Sequence, residues 1–165
     1  MSISIIRTTN EEILKDCALL MSASEPWITL QRKYSDCLNS THGDYKEIYI
    51  AQNNNELLGF IILQMAGTFK GYIQSICVSP EARSKGIGSM LIEFAEKRIF
   101  TVSPNVFMCV SSFNERAIKL YTQLGYEKIG ELKDFILKGY SEILLRKTTG
   151  TLAEFTNAHY QKEKI

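Results

Sequence analysis

Arg83-Ser84-Lys85-Gly86-Ile87-Gly88 lies between an apolar run ending at Val78 and an amphipathic stretch that begins near Ile87. A strand feeding a helix through such a turn points several backbone N–H groups at one spot, where the positive end of the helix dipole favours an anion. Arg83 and Lys85 add side-chain charge, while Gly86 and Gly88 remove side chains that would keep a pyrophosphate from the main chain. The chemistry implied is polyphosphate binding. Two common cradles do not fit. A Walker loop needs a glycine well upstream of Gly-Lys-Ser/Thr, but the order here is Lys85-Gly86, with Glu81 and Ala82 upstream. A dinucleotide fingerprint would place glycine or alanine where this chain has Leu91.

A second motif follows the apolar run Asn105–Val110. Asn114 suits a helix N-cap; Ala117, Ile118, Tyr121 and Leu124 recur at helical spacing, and Gly125 suits the stop. The two motifs together resemble those of the GNAT N-acetyltransferase family. Its pyrophosphate loop is written Arg/Gln-x-x-Gly-x-Gly/Ala. Its later motif, Asn-x-x-Ala-x-x-Leu-Tyr-x-x-x-Gly-Phe/Tyr, is matched by Asn114, Ala117, Leu120, Tyr121, Gly125 and Tyr126. The resemblance runs from about Ile48 to Lys147 and is nearest to the branch containing ribosomal-protein alanine N-acetyltransferases.

That resemblance implies transfer of an acetyl group from acetyl-CoA to a primary amine, by direct attack in a ternary complex. It assigns acetyl-CoA contacts to Ile76, Cys77 and Val78 on a splayed strand and to Arg83, Ser84, Lys85, Gly86, Ile87, Gly88 and Ser89 in the loop. It adds Asn114, Ala117 and Tyr121 on the following helix. Tyr121 matches the family's general acid, which shares its proton with the departing thiolate; a thiol titrates near about 8.5 and a phenol near about 10. The oxyanion falls to a backbone N–H beside Val78. The branch's strand glutamate is replaced here by Cys109, which reads as core filler. Glu25, Glu81 or a water relay remain as sources of base, with Glu25 in the segment lining the acceptor side. An α-amine, near about 8, needs less help than a lysine amine near about 10.4, which tilts the reading towards a low-pKa acceptor. Trp27, Tyr34, Phe135 and Tyr140 are candidates for the acceptor wall, and His42 reads as a loop residue. No histidine stands near Cys77 or Cys109 in the sequence to activate either thiol as a nucleophile. A reading from another class is a coenzyme A-binding module or sensor that transfers nothing; loss of the strand glutamate motivates it, and the retained Tyr121 opposes it.

Length and balance agree with one such domain. The chain has 165 residues, of which 45% are hydrophobic, enough for a sizeable single core. Nineteen basic residues against 18 acidic ones give no global field for nucleic acid or acidic membranes. The four cysteines form no CxxC pair and the two histidines no cluster, so no metal site is expected. With no signal-like start and no membrane-length apolar run, a cytoplasmic home is expected. Dimers are common in the family, so a homodimer is a further expectation.

The elements that must position these residues can be read in outline. Ser2–Arg7 reads as a strand, and Asn10 caps a helix striped by Ile13, Leu14, Cys17, Leu20 and Met21. A second helix is expected from about Ile28 to Leu38. Glu47–Ala51 and Leu57–Met65 read as strands joined by an asparagine turn. Tyr72–Val78, a helix from Gly86 to about Phe100, Val106–Val110, the Asn114–Leu124 helix, Tyr126–Lys133 and Glu142–Arg146 complete the set. This order implies a mixed sheet covered by helices on both faces; the resemblance implies an α/β single-domain GNAT fold, its mixed, mostly antiparallel central sheet carrying two splayed parallel central strands. The resemblance also implies a strand bulge near Val78. The domain is assigned to residues 1–147, with 148–165 a polar C-terminal tail.

Overall fold

The computed structural model describes residues 2–162. Ser4–Arg7 (β1), Lys46–Asn53 (β2), Glu56–Gln64 (β3), Tyr72–Val78 (β4), Asn105–Ser111 (β5), Glu127–Lys133 (β6) and Ser141–Thr148 (β7) form one sheet, in the order β1-β2-β3-β4-β5-β7-β6. Every adjacent pair is antiparallel except β4 and β5. The helices are Glu11–Ser22 (α1), Tyr34–Ser40 (α2), Ile87–Ile99 (α3), Glu115–Gln123 (α4) and Leu152–Lys162 (α5). No described helix is long and apolar enough to cross a membrane.

Local chemistry explains most boundaries. The Asn10 side chain accepts from the Glu12 and Ile13 N–H groups at the start of α1, and Asn114 accepts from Ala117 N–H at the start of α4. The β2–β3 hairpin turns on Asn54 and Asn55, at φ 48° and 66°, the left-handed values that a two-residue turn requires.

Each sheet face carries its own core. Ile61, Leu63, Ile73, Val106, Met108, Val110, Ile143 and Leu145 pack with α3 and Tyr121 of α4 on one face. Ile48, Ile50, Phe60, Ile62 and Cys77 pack with Leu14, Cys17, Ala18 and Met21 of α1 and Cys37 of α2 on the other. Alternation along strands produces this division, since successive side chains point to opposite faces.

Two features of β4 make room for a site. It pairs with β5 only through Tyr72↔Phe107 and Ile73↔Met108; beyond those pairs the parallel strands part. The bulge sits at Gln74 rather than near Val78: Ile62 pairs with Ser75, and Leu63 pairs with Ile73. Ile73 and Cys77, four residues apart, would share a face in an unbroken strand. Here they belong to opposite cores, because the extra residue reverses the alternation.

The second helix also differs from expectation. It begins at Tyr34, since Gln31 takes φ 56° and a helix cannot continue through it. β7 runs through Thr148, and part of the segment read as a polar tail winds into α5.

Candidate active site

The loop between β4 and α3 starts with a single 3-10 turn, Pro80–Ala82, and then takes left-handed backbone at Ser84 (φ 62°) and Gly86 (φ 81°). The first intrahelical bond of α3 runs from Met90 N–H to Gly86 C=O at 3.0 Å, so the Ile87, Gly88 and Ser89 N–H groups precede the helical ladder. A Cβ built on Gly86 would meet nothing within 4 Å, and one on Gly88 only Val78 Cγ2 at 3.8 Å. The loop thus borders open space with its amides forward.

That space is a cavity of about 780 Å³. Ile76, Cys77, Val78, Arg83, Ser84, Gly86, Ile87, Gly88, Ser89, Asn114 and Ala117 all line it. Lys85 does not; flanked by the two left-handed residues, it is exposed. The Arg83 guanidinium donates to Val78 C=O at 3.2 Å and to Ser24 Oγ at 3.3 Å, tying the loop to the end of β4 and to the α1–α2 connection. Sequence reading missed the cationic wall opposite. Arg116 and Lys119 of α4 line the cavity, and Arg116 donates to Ser84 Oγ at 3.0 Å. Their only sequence signal was a basic pair three residues apart, one turn into a capped helix.

A second cavity of about 270 Å³ adjoins the first. Ile76, Val78, Gly88, Asn114, Ala117 and Leu120 line both, so the two are chambers of one cleft meeting where β4 leaves β5. Tyr121 lines the second chamber, 8% exposed, and its hydroxyl has no hydrogen-bond partner among the described residues. Burial pushes its phenol up to about 12. Trp27 and Phe135 line this chamber as well. Tyr34 and Tyr140 line neither: Tyr34 opens α2 in an exposed position, and Tyr140 packs edge-on to Phe113 with centroids 5.4 Å apart.

Glu25 borders both chambers, but its carboxylate accepts from Thr29 N–H at 3.1 Å and Thr29 Oγ1 at 3.0 Å. Those bonds fold it back onto its own turn and use one acceptor site on each oxygen, holding the carboxylate at the exposed edge of the chambers. Glu81 is exposed and lines neither chamber, and His42 is engaged with Leu38 C=O and Glu11. Cys109 lines the second chamber, where burial raises its thiol above the usual range despite a hydrogen bond with Tyr72, so it is a poor thiolate nucleophile. Buried Glu142 also lines this chamber and accepts from Ser111 Oγ at 2.6 Å. The sequence marked it only as a carboxylate opening an apolar strand.

A parallel pair that splays beside an amide-lined helix start, with a buried phenol at the junction, defines an acyltransferase of the GNAT class. The chain belongs to the Acetyltransferase (GNAT) family, whose model matches residues 10–126. That family uses acetyl-CoA. An N-alpha-acetyltransferase of Sulfurisphaera tokodaii is 26% identical over 110 residues, which span 59% of this chain and 66% of that protein, just under two thirds of its length. The fold is similar to that of the ribosomal-protein-S18-alanine N-acetyltransferase of Escherichia coli, with a TM-score of 0.72, 16% identity and coverage of 91% of this chain and 96% of that one. A streptothricin acetyltransferase candidate of Bacillus anthracis, solved in complex with acetyl coenzyme A, superposes with a TM-score of 0.59 at 24% identity, covering 66% of this chain and 65% of that one.

Proposed function

We propose that this protein moves an acetyl group from acetyl-CoA to a primary amine by direct attack within a ternary complex. The observation that carries the reading is the continuity of the two chambers across the β4–β5 splay. The larger chamber receives the diphosphate on the Ile87–Ser89 amides, with Arg116 and Lys119 countering its charge. The smaller chamber receives the amine against Trp27 and Phe135. Tyr121, lining that chamber beside the shared residues, protonates the departing sulfur. Its raised pKa keeps the proton on the phenol until charge develops on the thiolate, whose own basicity rises in the same water-poor site. The acceptor is read as an α-amine or another amine of low pKa, because deprotonating it asks least of a carboxylate.

Initial-rate kinetics over both substrates, with a panel of short peptides, lysine, spermidine and an amino sugar as acceptors, test this. Intersecting double-reciprocal lines, with turnover lost in Tyr121→Phe while acetyl-CoA still binds calorimetrically, are the expected result. Parallel lines with labelled acetyl trapped on the protein would overturn direct attack. Binding without turnover of any amine would favour the coenzyme A sensor instead.

A further inference from the structure

The acid proposed above needs a partner that takes the amine's proton, and Glu25 is turned onto Thr29. Glu142 of β7 pairs directly with Ser111 of β5 and is 4% exposed, yet it lines the smaller chamber. A carboxylate so deeply buried is uncommon and calls for a partner or a task. Its one protein hydrogen bond, among the described residues, is the 2.6 Å contact from Ser111 Oγ, which leaves acceptor capacity unused.

Register places it on a definite face. Val110↔Ile143 and Met108↔Leu145 point into the α3 core, so Ser111↔Glu142 and Cys109↔Leu144 point to the opposite face, towards the α1–α2 connection that carries Trp27. Tyr121 belongs to the α3 core. The two groups therefore reach one chamber from opposite faces of the sheet, through the gap opened where β5 leaves β4.

We infer that Glu142 is the general base: it accepts a proton from the acceptor ammonium in the smaller chamber, from the side of the splay opposite Tyr121. The inference rests on the acetyl-transfer reading above. Glu142 takes one proton from the ammonium and frees the nitrogen lone pair for attack on the thioester carbon. A C–N bond forms, the C–S bond breaks, and the sulfur takes the proton of Tyr121. The second N–H proton, released as the amide forms, restores Tyr121, and Glu142 returns its own proton to solvent. Protein and base end as they began, with one proton released overall. Cys109, on the same face two residues before Ser111, leaves this part of β5 without a carboxylate, and Glu142 supplies one from β7.

The surroundings suit a base. Burial raises the Glu142 carboxyl above its ordinary range, and the Ser111 hydrogen bond moderates the rise. Ser111 and Cys109 of β5, Tyr72, Gln74 and Ser75 of β4, and Asn114 and Tyr121 at the α4 side are the polar groups that share its chamber, with Glu25 at the edge; among the described residues no cation lines this chamber to hold it down.

The test is kcat/KM against pH for wild type, Glu142→Gln and Ser111→Ala, using whichever amine of the panel the wild type acetylates fastest, with calorimetric acetyl-CoA binding alongside. Glu142→Gln should lower kcat by about 10²-fold or more at pH 7 with acetyl-CoA affinity unchanged. The deficit should shrink as pH approaches the amine's own pKa. Ser111→Ala should move the acid limb to higher pH, a shift that a merely structural role would not produce, and it decides the matter if Glu142→Gln fails to fold. Near-wild-type kcat in Glu142→Gln, or an unmoved limb in Ser111→Ala, overturns the inference while leaving the acetyltransferase reading intact. A wild type that acetylates no amine overturns both.

Discussion

Gly59→Ala tests how the site wall is held. From Gln74 onward β4 has lost β5, so its only sheet neighbour is β3, and Gly59 pairs there with Val78. A Cβ on Gly59 would lie 2.7 Å from Cys77 C=O, 3.1 Å from Val78 Cα and 3.4 Å from Leu91 Cδ1. The first two contacts are to backbone, which cannot rotate away, so β4 must move outward. Forcing a methyl into packed surroundings costs about 1–3 kcal/mol, and the lower chain entropy of alanine recovers about 0.5 kcal/mol of it. A net loss of about 1.5 kcal/mol, at about 2–4 °C per kcal/mol for a chain of this size, lowers Tm by about 3–6 °C. Because Cys77 and Val78 line the larger chamber, acetyl-CoA affinity should fall as well, by about tenfold for each 1.4 kcal/mol transferred to the bound state. Gly88→Ala is the control: its nearest contact is an ordinary 3.8 Å, so stability should hold or rise slightly. Thermal unfolding by circular dichroism with calorimetric titration reads both quantities. An unchanged Tm in Gly59→Ala would refute the claim that the close approach of Gly59 to Cys77 and Val78 sets the position of this half of β4.

Three further outcomes are expected. With its phenol held up to about 12, Tyr121 stays protonated across the working range, so kcat should show no alkaline fall up to about pH 10, measured in a stopped assay. Arg116→Ala removes a cation lining the larger chamber and the 3.0 Å bond to Ser84; acetyl-CoA binding should weaken, and its dependence on salt should flatten, in titrations at two ionic strengths. Arg98 donates to both Glu47 oxygens, at 2.9 and 2.6 Å, and Tyr49 to one of them at 2.8 Å. Burial alone would raise the Glu47 carboxyl, but these bonds hold it below its usual range, so the pair's stabilisation is present above the ordinary glutamate pKa and is lost as pH falls through the depressed value. Arg98→Met should therefore cost about 3 kcal/mol at pH 7 and distinctly less at pH 4, compared by urea unfolding.

Local chemistry was legible in the sequence where one residue decides the outcome. Asn10 and Asn114 cap because each oxygen reaches amides two or three residues ahead, and Asn54-Asn55 turn because they tolerate left-handed backbone. The turn into α3 was readable for the same reason, since Gly86 takes left-handed backbone. What sequence concealed depends on partners distant in the chain. Glu142 looks like the polar first residue of a strand until pairing sets it opposite Ser111, 31 positions away. Glu25 shows no partner in the sequence, yet it is tied to Thr29, and the cationic wall needs α4 to swing Arg116 back over Ser84, 32 residues earlier. The bulge was expected at the other end of β4 because that expectation came from the family resemblance, and the residue left over in the pairing, Gln74, shows only once β3 is laid against β4.

Gln74 also makes β4 an interpreter between two alphabets. Before it, even-numbered positions such as Tyr72 face the α1–α2 side of the sheet; after it, odd-numbered ones such as Ser75 and Cys77 do. Deleting this one residue would not shorten the strand so much as transpose its reading, presenting to each compartment the side chains meant for the other. An insertion or deletion of one residue within Tyr72–Val78 should therefore be far more damaging than most substitutions there, and compensating changes should come in pairs that restore parity rather than length.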